Sequence, residues 1–363
     1  MADTVFNPNQ PSKKNQFMFF GNAPGVSRYD TPVQPIFQKL TEKQLGFFWR
    51  PEEFDVNKDS RDFKTLNDVQ RHIFTKNISF QILMDSVQAR SPGLALLPHV
   101  SLSELESCIE IWQAMEMIHN QSYGYLLRNI FANPTEIFDS IIQDEEIIKR
   151  SNALVKYYDD FISTSLKYRV NGGDLSALKE KLLLCIAAIN ILEGLNFYVS
   201  FACSFAFAEQ GLMEGNAKII TAIARDEALH LAITQNILKK WANNEDDPEM
   251  TKFYKKNLGK IEQMFQEAIA MEKQWSKYLF KDGSIIGLSE NILNQYVEYI
   301  AGKRMKNLGI KHEFITKNPL PWTDKYLKSS DAQVAPQETE ITSYVVGGVK
   351  NDVEDADFKE FAF

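Results

Sequence analysis

Two Glu-x-x-His pairs, Glu116/His119 and Glu227/His230, constrain this chain more than any other feature. At that spacing a helix places the carboxylate and the imidazole on one face, a turn apart. The chain has only five histidines in 363 residues, and two of them sit in this pattern. A single pair is a weak signal, because Glu and His meet in helices by chance. Two pairs, each inside a long apolar helix, call for a common cause. Helical bundles that hold a dinuclear metal centre use two such pairs plus one carboxylate from each of two further helices. The sequence must then supply two more inward-facing carboxylates.

The spacing of apolar residues predicts helices from Val33 to Trp49, Leu66 to Arg90 and Ser103 to Phe131, over 135–169, and from Asp174 to Glu209 and Glu214 to Ala242. Two more cover Glu249–Phe280 and Ser289–Leu308. The first ends at Arg50-Pro51, since a residue before proline disfavours the helical region. Ser91-Pro92-Gly93 and Asn133-Pro134 close the next two. No alternating strand pattern of useful length occurs, so the fold class is all-α.

Helical faces in these segments supply the missing carboxylates. Asp85 shares a face with Phe74, Ile78, Ile82 and Ala89, and Glu193 shares one with Phe197, Phe201 and Ser204. Trp112, Glu116, His119, Tyr123 and Leu127 form a third stripe, and Ile223, Glu227 and His230 a fourth. A carboxylate in an apolar stripe is costly unless it is paired or bound to a cation. Any one of the six has a bland explanation as a capped Glu or a satisfied core His. All six, on four helices, point to metal: Asp85, Glu116, His119, Glu193, Glu227 and His230. Four carboxylates around two divalent ions leave a nearly neutral centre. Mixed oxygen and imidazole ligands suit iron or manganese better than a closed structural zinc site. Tyr123 lies one turn beyond His119 on the same face. Such a tyrosine is ordinary core packing in most helices. Beside a dinuclear centre it is within range to lose an electron when the metals react with oxygen, with burial shielding the radical from solvent.

The bulk properties fit this picture and exclude others. A net charge of −8 and a pI near 5.4 leave no basic footprint for nucleic acid. The three scattered cysteines, Cys108, Cys185 and Cys203, form no disulfide framework or zinc motif and suit a reducing cytoplasm. The polar N-terminus lacks the apolar core of a signal peptide. In the apolar stretch Leu182 to Ala208, Asn190, Glu193 and Asn196 interrupt the run before it reaches the roughly 18–20 residues of a membrane span. It is expected to be a helix buried on nearly all sides. Residues 1–32, rich in Asn, Pro and Gly, are expected to form a surface arm, 33–329 the helical domain, and 330–363 a flexible acidic tail. The tail ends in Phe358, Phe361 and Phe363, a composition that fits equally a segment docking on a partner and a plain solubilising tail.

Taken together, MFFG (18–21), FFWRPEE (47–53), DSVQARSP (85–92), the E-x-x-H-x-x-x-Y of 116–123, FYVSFACSFAFAE (197–209), MEGNAKII (213–220), ARDEALHL (224–231), KDGSIIGL (281–288) and the tail's APQE and SYVVG are highly specific. Across nearly its whole length the chain resembles the radical-generating small (β) subunit of class I ribonucleotide reductase, of the bacterial and phage class Ia type. The resemblance implies a ferritin-like homodimer with a di-iron centre on the six residues named above. It implies that Tyr123 carries a stable radical, formed when the reduced metals react with O2. Phe197, Phe201 and Ile223 would line its pocket. Trp49 would be an electron-relay tryptophan, and Asp226 its hydrogen-bond link to His119. Tyr344 would pass the radical to the large subunit, where the last residues of the tail dock. The place of action would be the cytoplasm of a bacterium or of a phage-infected host.

The residues themselves support that division of labour. The chain has no paired cysteines and no evident phosphate-binding glycine loop, so another polypeptide must hold nucleotide and thiols. Around the radical site the sequence reads MEMIHNQSYGY, where relatives commonly carry small or basic residues at some positions, and Gly124 is expected to loosen the helix locally. The intact ligands do not separate iron from manganese. The rival functions are a stand-alone ferritin-like di-metal oxidase or oxygenase, which has no use for Trp49 or a redox tail tyrosine, iron storage in a shorter caged chain, and a non-enzymatic helical interaction protein.

Overall fold

The computed structural model describes residues 5–8, 15–22 and 25–327. Among these residues there are thirteen α-helices and no strand beyond isolated bridges. In chain order they are α1 (Pro35–Gly46), α2 (Asn57–Thr65), α3 (Asp68–Gln88), α4 (Ser91–Ala95), α5 (Ser103–Ile130), α6 (Pro134–Ile141) and α7 (Glu145–Asn171). Then come α8 (Leu175–Ile191), α9 (Tyr198–Ala208), α10 (Glu214–Asn243), α11 (Pro248–Leu279), α12 (Glu290–Asn307) and α13 (Asp324–Leu327). The long helices α3, α5, α8–α9 and α10 form the bundle core, with α7 and α11 packed against α8, α12 against α11 and α9, and α1 laid along α5.

The predicted helices are all present, several of them divided. The segment 33–49 is helical only to Gly46, which leaves Trp49 in the following loop. The segment 135–169 breaks at Asp144, whose carboxylate accepts the N–H groups of Glu146 and Ile147 and so caps α7. The same carboxylate binds Lys76 Nζ at 2.6 Å and the Tyr278 hydroxyl at 2.9 Å, so one side chain joins α3, α7 and α11. Asn67 and Gln70 form a reciprocal capping box at the start of α3. α5 runs unbroken through Gly124.

The longest helix with no predicted counterpart is α2, and the five-residue α4 begins at the Ser91-Pro92-Gly93 stop. α2 is a polar segment, NKDSRDFKT, with no apolar stripe to announce it. It acts through its acids. Asp59 accepts the N–H of Gly215 at 3.0 Å and that of Asn216 at 2.5 Å, and Asp62 accepts the N–H of Met213 at 2.9 Å. These are the unpaired donors at the start of α10. Gly215 permits the approach, because a Cβ there would lie 2.6 Å from the Asp55 carbonyl oxygen.

The apolar helix Leu175–Ala208 is long and apolar enough to cross a membrane, yet 94% of its most apolar window is buried inside the fold. It is a core helix, interrupted by a π turn at Leu192–Asn196 between α8 and α9. The N-terminal segment departs from a simple surface arm. Met18, Phe19 and Phe20 are buried, with Met18 N–H bound to Asp246 and Phe20 N–H bound to the His99 carbonyl. Three apolar side chains in a row anchor what polar neighbours on either side would leave on the surface. The tail 330–363, with Tyr344 and the terminal phenylalanines, lies outside the described residues.

Candidate metal centre

Burial and convergence mark the site. Asp85, Glu116, His119, Glu193, Glu227 and His230 are all fully enclosed. α3 brings Asp85, α5 brings Glu116 and His119, the π turn brings Glu193, and α10 brings Glu227 and His230. Their donor atoms fall into two overlapping quartets, each within 4.8 Å: Asp85, Glu116, His119 and Glu227, then Glu116, Glu193, Glu227 and His230. Glu116 and Glu227 belong to both. Two cation positions that share two carboxylates, each completed by one further carboxylate and one imidazole, are what the donor set describes.

The hydrogen bonding inside the cluster singles out the same donor atoms. Both Asp85 oxygens, Glu116 Oε2, His119 Nδ1, Glu193 Oε2, Glu227 Oε1 and His230 Nε2 have no hydrogen-bond partner. Orphaned buried carboxylate oxygens are expensive, and divalent cations satisfy them. His119 Nδ1 lies 3.3 Å from Glu116 Oε2 and 3.4 Å from Glu227 Oε1, and His230 Nδ1 lies 3.1 Å from Glu116 Oε1 and 3.0 Å from Glu227 Oε2. The protein groups fit a pair of divalent metal ions.

The four carboxylates and two imidazoles perturb one another strongly. Burial, with the charges of Glu116 and Glu227, raises Asp85 well above the usual carboxylate range. Burial and Glu227 raise Glu193 in the same way. Burial also acts to raise Glu227, but the facing Glu193, His119 and His230 side chains outweigh it and hold that carboxyl low. Burial works against a charged His230, yet the facing carboxylates hold its pKa up at about 9.

Tyr123 is fully buried, and its hydroxyl makes a long contact of 3.5 Å to Gln81 Oε1. Burial, then the Asp85 charge, drives its pKa well above that of a free phenol. Phe197, Phe201 and Ile223 are buried in the same core, with the two phenyl rings stacked at 5.8 Å. Trp49 Nε1 donates to Asp226 Oδ2 at 2.7 Å, and His119 Nε2 faces that same oxygen at 3.2 Å. The Trp49 and His119 rings are 6.2 Å apart and inclined by 26°. Arg225 ties the Trp49 loop to α10 by donating to the Phe47 carbonyl at 2.7 Å.

Several residues at the site had no role assigned to them from sequence. Trp112 donates to Glu116 Oε1 at 2.9 Å and stacks on His230 at 5.3 Å. Gln88 donates its amide to Glu193 Oε1 and accepts the Tyr158 hydroxyl at 2.8 Å. A signal for Gln88 existed, because Gln81, Asp85 and Gln88 form a polar stripe at i, i+4, i+7 on the face of α3 that is buried. Nothing local marks Tyr158.

Fold and site together define a ferritin-like helical protein with a dinuclear carboxylate–histidine metal site. The family model "Ribonucleotide reductase, small chain" matches residues 30–319. The ribonucleoside-diphosphate reductase subunit beta of Haemophilus influenzae is 48% identical over 375 aligned positions that cover 100% of both chains. That of Enterobacteria phage T4 is 38% identical over 376 positions, covering 97% of each. Among solved structures, the ribonucleotide reductase R2 subunit from Clostridium botulinum superposes with a TM-score of 0.78 at 28% identity, covering 90% of this chain and 98% of that one. The chain belongs to the ribonucleotide reductase small-chain family.

Proposed function

We propose that this subunit makes and stores a tyrosyl radical at Tyr123 and delivers its oxidising equivalent to the large subunit, which reduces ribonucleotides to deoxyribonucleotides. The carrying observation is the pair of overlapping donor quartets with Tyr123 sealed beside Asp85. Asp85, Glu116, His119, Glu193, Glu227 and His230 would hold two iron ions, and the same donors also accept manganese. When bound, the metal pair supplies, by reaction with O2, the oxidising power for one-electron chemistry. The protein's part is to place, insulate and connect.

Tyr123 gives up an electron and its phenolic proton. Asp85, the carboxylate whose charge bears most on that phenol, is the group placed to take the proton. The surrounding core excludes water, which would otherwise quench the radical. The line Trp49–Asp226–His119 joins the centre to the surface beside exposed Phe48, and each member can carry charge. From there Tyr344, on the tail, would pass the equivalent to the large subunit while the terminal residues dock. The working assembly is a homodimer bound to that subunit in the cytoplasm of a bacterium or phage-infected host.

The test is an electron paramagnetic resonance spectrum after loading the chain with ferrous iron and exposing it to O2. The expected result is a tyrosyl signal that disappears in Tyr123→Phe with the iron retained. Normal reductase activity in Tyr123→Phe refutes the assignment. Oxidised iron with no organic radical would favour manganese as the working metal, which reconstitution with manganese then checks.

A further inference from the structure

The helix that presents Glu193 leaves the regular α register at that residue, through the π turn Leu192–Asn196. Such a turn holds one extra residue and shifts the hydrogen-bond register, so nearby carbonyls lose their usual donors. A buried carbonyl needs a replacement. Two buried arginines supply it from two other helices. Arg304 of α12 donates Nε to the Gly194 carbonyl at 3.0 Å and a terminal nitrogen to the Tyr198 hydroxyl at 2.9 Å. Arg150 of α7 donates to the Asn196 carbonyl at 3.2 Å.

Each arginine is itself held in place. Arg150 is ion-paired with buried Glu272 of α11, which also accepts the Asn196 side-chain amide at 2.9 Å. Its guanidinium lies 3.5 Å from the centre of the Phe80 ring and 4.5 Å from that of Trp275. The Arg304 stem passes so close to Gly194 that a Cβ there would meet its Cγ at 3.2 Å and Leu231 Cδ1 at 3.0 Å. The missing side chain at Gly194 is what lets the arginine reach the backbone.

Burying a guanidinium is expensive. Filling core space does not require two of them aimed at two carbonyls of one five-residue turn. We propose that Arg304 and Arg150 are positioning residues, a clamp that keeps the π turn open and so aims Glu193 at the metal position it shares with Glu116, Glu227 and His230. This rests on the dinuclear metal reading of the site. Closure to a regular α register would swing Glu193 by about 100° around the helix axis, the rotation of one residue.

Mn(II) binding to the full-length chain, followed by calorimetry and electron paramagnetic resonance, tests the clamp. Wild type should bind two ions with a spin-coupled signal. Arg304→Met should weaken the second ion by about 10–100-fold, the usual range for outer partners of a metal site. The remaining ion should show an uncoupled Mn(II) spectrum. Arg304→Lys, which can still reach the Gly194 carbonyl, should recover part of the loss. Gly194→Ala should reproduce the loss with the arginine and its charge still present, and it carries the test alone if Arg304→Met does not fold. Two coupled ions in wild type and in the variants overturn the clamp alone. A wild-type chain that binds no pair of ions overturns the metal centre and the clamp with it.

Discussion

The two flanks of the metal centre are built from different chemistry. On the His119 flank the imidazole faces Asp226, and Asp226 binds Trp49. That line runs outward to a loop where Phe48 is 62% exposed. On the Glu193 flank the carboxylate meets the Gln88 amide, and Gln88 binds Tyr158, which is buried. That line ends at a side chain closed off from solvent. A carboxylate, an imidazole and an indole can each take part in moving a proton or an electron. A glutamine amide does neither near neutral pH, so it fixes geometry without offering a path. Under the proposed function the first flank conducts and the second braces. Oxidising power made at the centre then has one well-connected exit.

The largest effect should come from cutting the conducting flank. Trp49→Phe removes the N–H that binds Asp226 and the indole that, under the proposed function, would carry the electron. Turnover with the large subunit should drop to background while metal content stays that of wild type, checked by a coupled activity assay and metal analysis. Tyr344→Phe should behave in the same way further along the path. Substantial turnover in Trp49→Phe would show that the His119 flank is not the exit.

Gln88→Leu probes the bracing flank and should act differently in kind. It leaves Glu193 and Tyr158 without their shared partner. Metal affinity should fall by about 10–100-fold, as for other outer-shell losses. Once the chain is saturated with metal, the radical yield and turnover should recover. If saturated Gln88→Leu still fails to turn over, the contrast between the flanks collapses, because both would then lie on the path.

Much of this was legible in the residues, and the reasons differ by element. The four ligand helices could be read because an ionisable group in an apolar stripe violates the periodic pattern at one position, as Asp85 does among Phe74, Ile78 and Ile82. The partition of the ligands between two cation positions was not legible, since it depends on how Glu116 and Glu227 meet across the bundle. Trp49 and Asp226 entered through resemblance alone. Their contact joins residues 177 positions apart, and no local pattern reports it. The π turn was hidden because an inserted residue leaves composition unchanged and shifts only the register. α2 was hidden because its work is done by acids that cap another helix, and hydrophobic periodicity is blind to that.

That last element yields the smallest prediction, and one that serves both flanks as a control. α10 carries Asp226 toward the conducting side and Glu227 and His230 toward the centre itself. Its first turn is held by Asp59 of α2 through the N–H groups of Gly215 and Asn216. Asp59→Ala leaves those two donors buried without an acceptor, at a cost of about 1–3 kcal/mol. Urea unfolding of the metal-free chain should show a loss of that size. Asp226 begins three turns further along the helix, and fraying at a helix end fades within the first turn or so. Metal stoichiometry and turnover should therefore stay close to wild type at low temperature. If Asp59→Ala instead loses turnover while keeping its metals, the start of α10 sets the Trp49–Asp226 contact, and the conducting flank reaches back to α2. If it loses metal first, the cap sets the positions of Glu227 and His230, and α2 belongs with the brace.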